Sequence, residues 1–507
     1  MLIGVDLGTS TCKIVAVDGN GTVVAKASRD YPMINRRPGW AEQEPALWWD
    51  ATDEAMSRLT AQLPDKGQEV RGIGLCGQMH GLTALDSEGT VIRPAILWND
   101  QRAADECDWI TEQAGGLPEL LRMTRNRMLP GFTAGKVVWL RHHEPESYAR
   151  MRRLLNPKDY LRYRMTGELV TEVSDASGTG LFDVANRTWS SELLRKIDVD
   201  PALLPEVVES TTSTGTVLPD LASRWNLPVS TPVFGGGGDA VMQTTAMGLI
   251  EEGSAGITIG TAGNVVGGLS RCPDNPDGRI QVSCGNEPGR WHIMGVTLSA
   301  GGALQWLRDA LAPLDRSRAL TFESLVALAR DVAPGADGLL FLPYLLGERS
   351  PHVAPHASAS LVGLSQVHHA GHITRAVIEG VLLNMREILE LCVDAGLRTD
   401  RIVASGGATV EPLWLQTLAD VLGREVVTVT GASEGGAYGA ALTAGVGTGA
   451  WPDLSAALQQ IAVEHTFTPT PEAAARYDVV FKAHRALFDA QQKTFELVAS
   501  LSPPADS

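Results

Sequence analysis

The chain has 507 residues with 44% apolar and 20% charged content, so it is long enough for two globular domains, each with its own core. Its 42 basic and 59 acidic residues give a net charge of −17, which argues against nucleic acid and anionic membranes as partners. The six cysteines lack metal-ligand spacing, and no apolar run is long enough to span a membrane, so we expect free thiols in a cytoplasmic protein.

Residues 2–28 predict three consecutive strands, with a turn at Gly8, Thr9 and Ser10 between the first two. Glycine allows a close approach, and successive backbone N–H groups with two hydroxyls form a concavity that holds a phosphate oxygen. Asp6 lies just before this turn and is a candidate for holding Mg²⁺ through water, because a carboxylate beside phosphate needs a cation between them. Lys13 follows the turn and is a candidate phosphate contact, although an exposed lysine on a strand is common.

A helix is predicted to begin at Pro45, followed by two strands at residues 70–76 and 82–85. The turn between these strands carries Met79 and His80. Taken without their neighbours, Met79 and His80 would be better interpreted as a pair of buried core residues. Glycines on both sides of the turn favour an imidazole that faces a cavity and hydrogen-bonds a polyol.

Trp98, Asn99 and Asp100 form the next polar and aromatic segment. An aromatic wall with adjacent amide and carboxylate groups suits the apolar face and the hydroxyls of a sugar. The same composition also suits a solvated loop, so both interpretations stay open for this segment.

Four consecutive glycines, residues 235–238, end a predicted strand and lead into Asp239 at the start of a helix over residues 240–247. The structural interpretation is an N-cap. The functional interpretation is a general base that orients an alcohol and accepts its proton during phosphoryl transfer. We favour the base, which is compatible with the cap, because a fold tolerates such a flexible run mainly where backbone approaches a ligand. Asp239 is also a candidate metal ligand.

The phosphate turn of the first strands is repeated in the second half of the chain, at Gly260 and Thr261. Thr258 stands in the position of Asp6, so the two halves are related but not equivalent. The domain boundary is predicted within residues 247–254, just before the repeat. Two such turns suggest two related domains that hold one nucleotide.

Gly406, Gly407 and Ala408 follow a predicted strand and form a turn almost free of side chains, against which a flat adenosine could lie. Pro471 begins a final amphipathic helix. Residues 496–507 are expected to form a disordered tail.

These motifs resemble those of the FGGY carbohydrate kinases, most of all the xylulokinase members, from Ile3 to about residue 490. The resemblance rests on Gly77-Gln78-Met79-His80-Gly81, Leu97-Trp98-Asn99-Asp100, Pro130-Gly131-Phe132-Thr133, Pro157-Lys158-Asp159-Tyr160-Leu161, Phe341-Leu342-Pro343-Tyr344 and Gly347-Glu348-Arg349. It implies an α/β fold with two ribonuclease-H-like domains of the actin and hexokinase superfamily, over residues 1–246 and 254–495, around a nucleotide and sugar cleft.

The resemblance also implies an enzyme that uses ATP and Mg²⁺ to phosphorylate a ketopentose, D-xylulose above others, and by analogy a homodimer. Asp239 then corresponds to the catalytic base, Met79 and His80 to the ketose-binding pair, and Asp6 to a carboxylate near the metal. The positions that fall on the phosphate turns or near the nucleotide are Thr9, Ser10, Gly260, Thr261, Gly301 and Gly407.

One departure from the family pattern bears on the substrate. Ala240 follows the base where typical xylulokinases have an asparagine that also touches the sugar. Losing that amide removes a hydrogen bond worth ~1–3 kcal/mol if the hydroxyl on the ligand is left unsatisfied. The alternatives are a kinase of another ketose or polyol, such as D-ribulose or a pentitol, a filament-forming or chaperone ATPase of the same superfamily, and a sensor that binds sugar and nucleotide without turnover.

Overall fold

The computed structural model describes residues 1–250, 252–314 and 320–501. The strands are β1 (Leu2–Leu7), β2 (Thr11–Val17), β3 (Val23–Asp30), β4 (Glu42–Gln43), β5 (Gly72–Gly77), β6 (Thr83–Leu85), β7 (Ala95–Ile96), β8 (Arg153–Leu155), β9 (Val170–Glu172), β10 (Phe182–Asp183), β11 (Thr188–Trp189), β12 (Glu206–Val208), β13 (Ser213–Thr216), β14 (Pro232–Phe234), β15 (Gly237–Gly238), β16 (Ser254–Ile259), β17 (Gly263–Leu269), β18 (Gln281–Cys284), β19 (Trp291–Thr297), β20 (Leu340–Leu342), β21 (Ser360–Val362), β22 (Arg401–Ser405), β23 (Val426–Val429) and β24 (Val463–Phe467).

The helices are α1 (Pro45–Gln62), α2 (Ala104–Ala114), α3 (Leu117–Thr124), α4 (Thr133–His143), α5 (Pro145–Arg150), α6 (Pro157–Thr166), α7 (Val173–Ser177), α8 (Ser191–Lys196), α9 (Pro219–Arg224), α10 (Asp239–Ala246), α11 (Gly301–Leu311), α12 (Phe322–Arg330), α13 (Ala370–Asp394), α14 (Pro412–Leu422), α15 (Gly435–Gly447), α16 (Leu454–Leu458) and α17 (Pro471–Leu501). Within the ranges that the structure describes, none of these helices combines the length and the apolar character needed to cross a membrane.

The chain forms two compact units that are not consecutive stretches of sequence. The first unit takes the chain up to residue 251 together with Gly268–His292 and Glu434–Ala462. The second unit takes residues 252–267, 293–433 and the chain from Val463 onward. The predicted division into residues 1–246 and 254–495 therefore misses two segments of the second half that pack within the first unit.

The first unit is built on a mixed sheet in the order β13-β14-β5-β1-β2-β3, with β15 also paired to β5. The predicted opening meander is confirmed, since β1 and β2 pair antiparallel and β2 continues into β3. β1 pairs parallel with β5, and β15 pairs parallel with the carboxyl end of β5. The carboxyl ends of these three strands therefore meet at one edge of the sheet. Trp48 of α1 and the apolar side chains of β1 and β2 belong to the buried core.

Helix α15 joins the first unit because glycines let it lie directly on the sheet. A Cβ atom built at Gly4 would lie 1.8 Å from the carbonyl oxygen of Ala437, and one at Gly74 would lie 2.0 Å from that of Ala440. No side chain fits at such distances, so the helix backbone contacts the backbone of β1 and β5. This long-range contact has no local signal in the sequence, so the predicted domain bounds do not include it.

The second unit repeats the hairpin of the first. Strands β16 and β17 pair antiparallel, and β16 pairs parallel with β22. The sheet continues through β23 to β24. The predicted second hairpin and the predicted strand before Gly406 are both confirmed.

The final helix is longer than the sequence predicts. Residues 496–501, assigned above to a disordered tail, are the last turns of α17, in which Phe495 is still buried. The burial of Phe495 stabilises the helical turn that follows it. The rest of that predicted tail, residues 502–507, lies outside the described residues.

The contact between α15 and β5 makes Gly74→Ala a sharp test of the packing. We expect the substitution to lower the free energy of unfolding by about 1–3 kcal/mol, because the new methyl group must displace a helix backbone. Gly19→Ala is the matched control: its Cβ would meet nothing within 4 Å, and we expect a change within about 0.5 kcal/mol. Urea unfolding monitored by tryptophan fluorescence measures both. Equal midpoints for the two variants would contradict the packing.

Candidate active site

The turn at Gly8, Thr9 and Ser10 is fixed through its carbonyl groups. The Gly8 N–H donates to the carbonyl of Thr11 at 3.0 Å and closes the turn. Donors from elsewhere in the unit reach all three carbonyl oxygens. The Tyr31 hydroxyl donates to the Gly8 carbonyl. Gln43 Nε2 donates to the Thr9 carbonyl at 2.6 Å, and the Tyr31 N–H donates to the Ser10 carbonyl at 2.9 Å. Because the carbonyls are held by the protein, none of them is left to repel a phosphate at this turn.

Asp6 lies at the carboxyl end of β1, opposite Cys76 of β5 and Lys13 of β2. The Cys76 thiol donates to Asp6 Oδ1 at 3.2 Å. Burial raises the pKa of Asp6, and the thiol hydrogen bond and the Lys13 charge act against that rise. The pKa of Cys76 lies well above its usual range, because of burial and the neighbouring carboxylates, so its proton stays on sulfur.

The glycine run brings Asp239 to the same edge of the sheet as Asp6. Gly237 and Gly238 pair with Cys76 and Gly77, so β15 and β1 flank the end of β5 on opposite sides. Gly236 has φ +68, and a Cβ atom there would lie 1.8 Å from the carbonyl oxygen of Leu75, so only glycine fits at that position.

Asp239 opens α10, and Gly238 rather than Asp239 occupies the N-cap position, without a side-chain cap. The predicted capping role is therefore wrong in its usual form, because the carboxylate makes no side-chain cap and its Oδ1 accepts from the N–H of the next residue, Ala240, at 2.8 Å. Burial and the negative charge of Asp6 raise the pKa of Asp239 to about 7. A carboxylate with a pKa near neutrality is suited to accept a proton from an alcohol.

Met79 lies beside the glycine run, and His80 lies beside Gly178. A Cβ atom at Gly238 would be 2.5 Å from the sulfur of Met79, and one at Gly178 would be 2.6 Å from His80 Nδ1. His80 adopts φ +70, its Nδ1 lies 2.6 Å from the Gly178 carbonyl oxygen, and its ring stacks on Phe132. Because a carbonyl oxygen only accepts, His80 Nδ1 carries the proton of this hydrogen bond.

The segment at residues 98–100 divides into two kinds of residue. Trp98 is exposed, and its Nε1 donates to Thr9 Oγ1 at 2.9 Å, next to the first turn. Asp100 is buried, and its two oxygens accept from Arg102 and from the Ala41 N–H. Asn99 lies between them and contacts the sulfur of Met33 at 3.6 Å. The carboxylate of Asp100 is thus engaged in structural hydrogen bonds.

Lys13 is engaged with an acidic side chain of the first unit. Its ammonium group lies 2.8 Å from Glu434 Oε2, and Lys26 also pairs with Glu434. The predicted contact between Lys13 and a phosphate would require the ammonium group to share or leave this ion pair.

The second turn, in the second unit, is held by the start of α11. The N–H groups of Ala300 and Gly302 donate to the Thr261 carbonyl at 2.8 and 3.0 Å, and that of Gly301 donates to the Gly260 carbonyl at 2.8 Å. A Cβ atom at Gly301 would lie 2.8 Å from that oxygen, so this glycine allows the close contact. Within the unit, Gly301 therefore supports the turn.

The turn after β22 also depends on glycine. Gly406 has φ +96, and a Cβ atom there would meet the Ile259 carbonyl at 2.6 Å. Gly407 faces open space, with nothing within 4 Å of its Cβ position. Thr258 Oγ1 and Ser405 Oγ are 2.8 Å apart. The structure thus gathers Thr258, Gly260, Gly406 and Gly407 at one edge of the second sheet, and Ala408 follows in the same turn.

Several residues of the first unit contact the candidate site, although no local sequence pattern indicates that they do. They are Tyr31, Gln43, Cys76, Ser174, Gly178 and Glu434, which contact the first turn, Asp6, the glycine run, His80 or Lys13. Each belongs to an element distant in sequence from its partner. Their roles depend on tertiary contacts that local patterns do not report.

Comparison with known proteins finds two family models that together cover most of the chain. Residues 1–248 match the N-terminal domain, and residues 255–448 the C-terminal domain, of the FGGY family of carbohydrate kinases. Xylulose kinase from Escherichia coli is 36% identical over 96% of this chain and 98% of that protein. Gluconokinase from Bacillus subtilis is 29% identical over 94% of this chain and 93% of that protein.

A solved structure of the same kind confirms the predicted fold. The crystal structure of xylulose kinase from Rhodospirillum rubrum superimposes with a TM-score of 0.90 at 31% identity, covering 98% of this chain and 99% of that chain. The predicted two-domain α/β fold is therefore correct.

The raised pKa of Asp239 predicts a pH-dependent stability. Its ordinary value is 3.8, so between about pH 4 and pH 7 the folded chain binds more protons than the unfolded chain, and stability falls as pH rises through that window. Asp239→Asn removes the charge, so without nucleotide or metal we expect it to melt about 2–6 °C above the parent protein at pH 8 and close to it at pH 4.5. Thermal unfolding followed by circular dichroism measures this.

The matched control is Asp220→Asn, which changes an exposed aspartate in the first turn of α9. It should melt with the parent protein at both pH values. An equal shift for Asp239→Asn at pH 4.5 and pH 8 would show that the carboxyl is not perturbed.

Proposed function

The chain belongs to the FGGY family of carbohydrate kinases, and from this we propose that it transfers the γ-phosphoryl group of ATP to a hydroxyl of a ketopentose, with D-xylulose as the preferred acceptor. The observation that carries the proposal is the position of Asp239, at the end of a rigid glycine run, beside Asp6 and beside Met79. Curated relatives named xylulose kinase match the chain at 36% and 35% identity over 96% of its length, which supports the choice of acceptor.

Asp239 is proposed as the general base. Its carboxylate orients the primary hydroxyl of the sugar and takes its proton as the oxygen attacks phosphorus. A base with a pKa of about 7 holds a substantial deprotonated fraction at neutral pH and still accepts a proton readily. The hydrogen bond from the Ala240 N–H holds the carboxylate through Oδ1.

Asp6 and Asp239 have the donor chemistry that Mg²⁺ requires. Two carboxylates at one sheet edge, whose charges disfavour one another, gain stability from a divalent cation. Among the described residues, no group of three or more His, Cys, Asp or Glu side chains is placed to hold a metal ion. When bound, such an ion neutralises charge on the transferring phosphoryl group.

For the sugar we propose contacts from the residues around the glycine run. Met79 supplies an apolar surface, and the His80 imidazole supplies a hydrogen-bonding group in an orientation fixed by Gly178 and Phe132. Trp98 and Asn99 supply the aromatic wall and the amide. Asp100 is proposed to support this segment through its bonds with Arg102 rather than to touch the sugar.

For ATP we propose the two glycine turns as phosphate-binding elements. Thr9 and Ser10 in the first unit, and Gly260 and Thr261 in the second, present backbone N–H and hydroxyl groups for this purpose. Gly301 is proposed to act by supporting the second turn. Gly406, Gly407 and Ala408 are proposed to lie against the adenosine, because Gly407 leaves open space where a side chain would stand.

Another polyhydroxy acceptor is the second candidate, favoured by the residue after the base and by one relative. Ala240 has no side-chain amide that could bond a sugar hydroxyl. One relative of similar sequence is named gluconokinase, after a different acceptor. The mechanism is the same in both cases, and only the sugar contacts differ.

The first test is ADP release with Mg²⁺ and ATP against a panel of acceptors, with a blank that lacks sugar. The panel holds D-xylulose, L-xylulose, D-ribulose, L-ribulose, gluconate, glycerol, ribitol and arabitol. We expect the highest kcat/KM with D-xylulose. A preference for another acceptor would support the second candidate, and a flat panel at the blank rate would contradict the kinase proposal and favour a sensor or a plain ATPase.

Asp239→Ala tests the base. We expect kcat to fall about 10²–10⁴-fold, because the proton of the attacking hydroxyl loses its acceptor, while KM for the sugar changes far less. Steady-state kinetics with the preferred acceptor measure both constants, and Asp220→Ala serves as the exposed control. Full turnover by Asp239→Ala would remove Asp239 from the mechanism.

A further inference from the structure

The glycine run that leads to Asp239 is held at both ends by hydrogen bonds. The backbone N–H groups of Gly235, Gly236 and Gly238 donate to the Thr212 carbonyl at 2.9 Å, the Ser210 carbonyl at 2.9 Å and the Ser174 hydroxyl at 3.0 Å. Of these three N–H groups, the one that bonds a side chain is that of Gly238, directly before Asp239. This bond therefore acts at the residue whose conformation sets the direction of the carboxylate.

The Ser174 hydroxyl has a defined direction. It donates its proton to Glu172 Oε1 at 2.8 Å. A hydroxyl has a single proton, so its oxygen then faces the Gly238 N–H with a lone pair. Ser174 is fully buried, so water does not compete for either bond. The Gly238 N–H thus donates to the Ser174 hydroxyl, which in turn donates to the Glu172 carboxylate.

Glu172 is itself fixed. Its side chain caps α7 by accepting from the N–H groups of Ser174 and Asp175, both at 2.7 Å. A third donor, the Ser210 hydroxyl, reaches the same carboxylate at 3.2 Å. A carboxylate with this many fixed donors holds the Ser174 hydroxyl in one orientation.

A buried charge cluster surrounds these residues. We define it as Lys158, Asp159, Arg162, Glu172 and Asp175, whose side chains are all fully buried. Lys158 Nζ lies 2.5 Å from Asp159, 3.4 Å from Asp175 and 3.7 Å from Glu172. Arg162 pairs with Asp159 and donates to the carbonyl oxygen of Gly235. The cluster thus reaches the first glycine of the run through Arg162 and the last through Ser174.

Such a cluster adds little net stability, since the desolvation of its charges offsets their attraction. Its effect on the positions of the side chains is larger, because every member is paired with fixed partners. Gly238 has no side chain to restrict its φ of −61 and ψ of 150, so its pairing with β5 and its bond to Ser174 are what fix them.

We propose that Ser174, oriented by Glu172, is a positioning residue for Asp239, acting through the Gly238 N–H. The proposal rests on the proposed role of Asp239 as the base. Loss of the Ser174 hydroxyl frees the Gly238 peptide. The Asp239 carboxylate then shifts relative to the sugar hydroxyl that it must deprotonate. A displacement of this kind lowers the rate of proton and phosphoryl transfer without changing the surfaces that bind sugar and ATP.

The chain offers a matched control on the same helix. Ser177 is also buried on α7, and its hydroxyl donates to the Val173 carbonyl at 2.6 Å and accepts from the Cys284 N–H at 3.0 Å. Ser177→Ala removes an equally buried hydroxyl without touching the glycine run. It reports the effect of a structural loss in this helix alone.

The experiment compares kcat, both KM values and thermal midpoint in Ser174→Ala, Ser177→Ala and the parent protein, with the preferred acceptor. We expect Ser174→Ala to lower kcat about 10-fold with both KM values within about 2-fold, and Ser177→Ala to keep kcat within about 2-fold. Parent-level kcat in Ser174→Ala, or an equal loss of kcat in Ser177→Ala, would overturn the proposal. If Ser174→Ala does not fold, Ser174→Cys, whose sulfur is a weak acceptor, is measured in its place and judged by the same two criteria.

Asp239→Ala in the same series separates the two proposals. If Asp239→Ala is inactive while Ser174→Ala turns over at the parent rate, the positioning role fails and the base stands. If Asp239→Ala keeps the parent rate, the base itself fails, and the positioning proposal fails with it.

Discussion

The candidate active site depends on the parallel pairing of β1, β5 and β15, which brings their carboxyl ends to one edge of a sheet. This register places Asp6 and the residue before Asp239 on either side of the end of β5. Close backbone contacts accompany it, since only glycine fits at position 236 against β5 and at positions 4 and 74 against α15. The acidic pair, the raised pKa of Asp239 and the contact of Met79 with the run all follow from this arrangement.

The two units use one hairpin design for different chemistry. In the first unit, Asp6 of β1 accepts a hydrogen bond from Cys76 of β5, and in the second unit Thr258 and Ser405 occupy the equivalent pair of strands at 2.8 Å. The first unit thus has a carboxylate where the second has a hydroxyl, and the proposed base and metal chemistry belongs to the first unit. The second unit offers uncharged donors and a turn at Gly407 without a side chain, which suits a nucleotide. The repeated hairpin therefore explains why only one half of the chain carries an aspartate before its phosphate turn.

Local patterns predicted the features that depend on a few neighbouring residues. Both glycine turns, the opening strands and the place of Asp239 after a strand could be predicted from glycine positions and apolar alternation. The sequence could not show that α15 returns to the first unit, that Asp100 accepts from the Ala41 N–H, or that Ser174 bonds Gly238, because each contact joins distant segments. The end of α17 was missed for a related reason, since helix propensity near a terminus does not report the burial of Phe495. Assignment of the substrate meets the same limit, because Ala240 removes a contact without indicating what replaces it.

The most direct test of the account is a crystal structure of the protein with the preferred acceptor and a non-hydrolysable ATP analogue. The account predicts an Asp239 carboxylate oxygen about 2.6–3.2 Å from the sugar hydroxyl that accepts the phosphoryl group, with the Gly238 N–H still bonded to Ser174. A complex in which that hydroxyl contacts another side chain, and Asp239 lies beyond hydrogen-bond reach of the sugar, would contradict the assignment of Asp239 as the base.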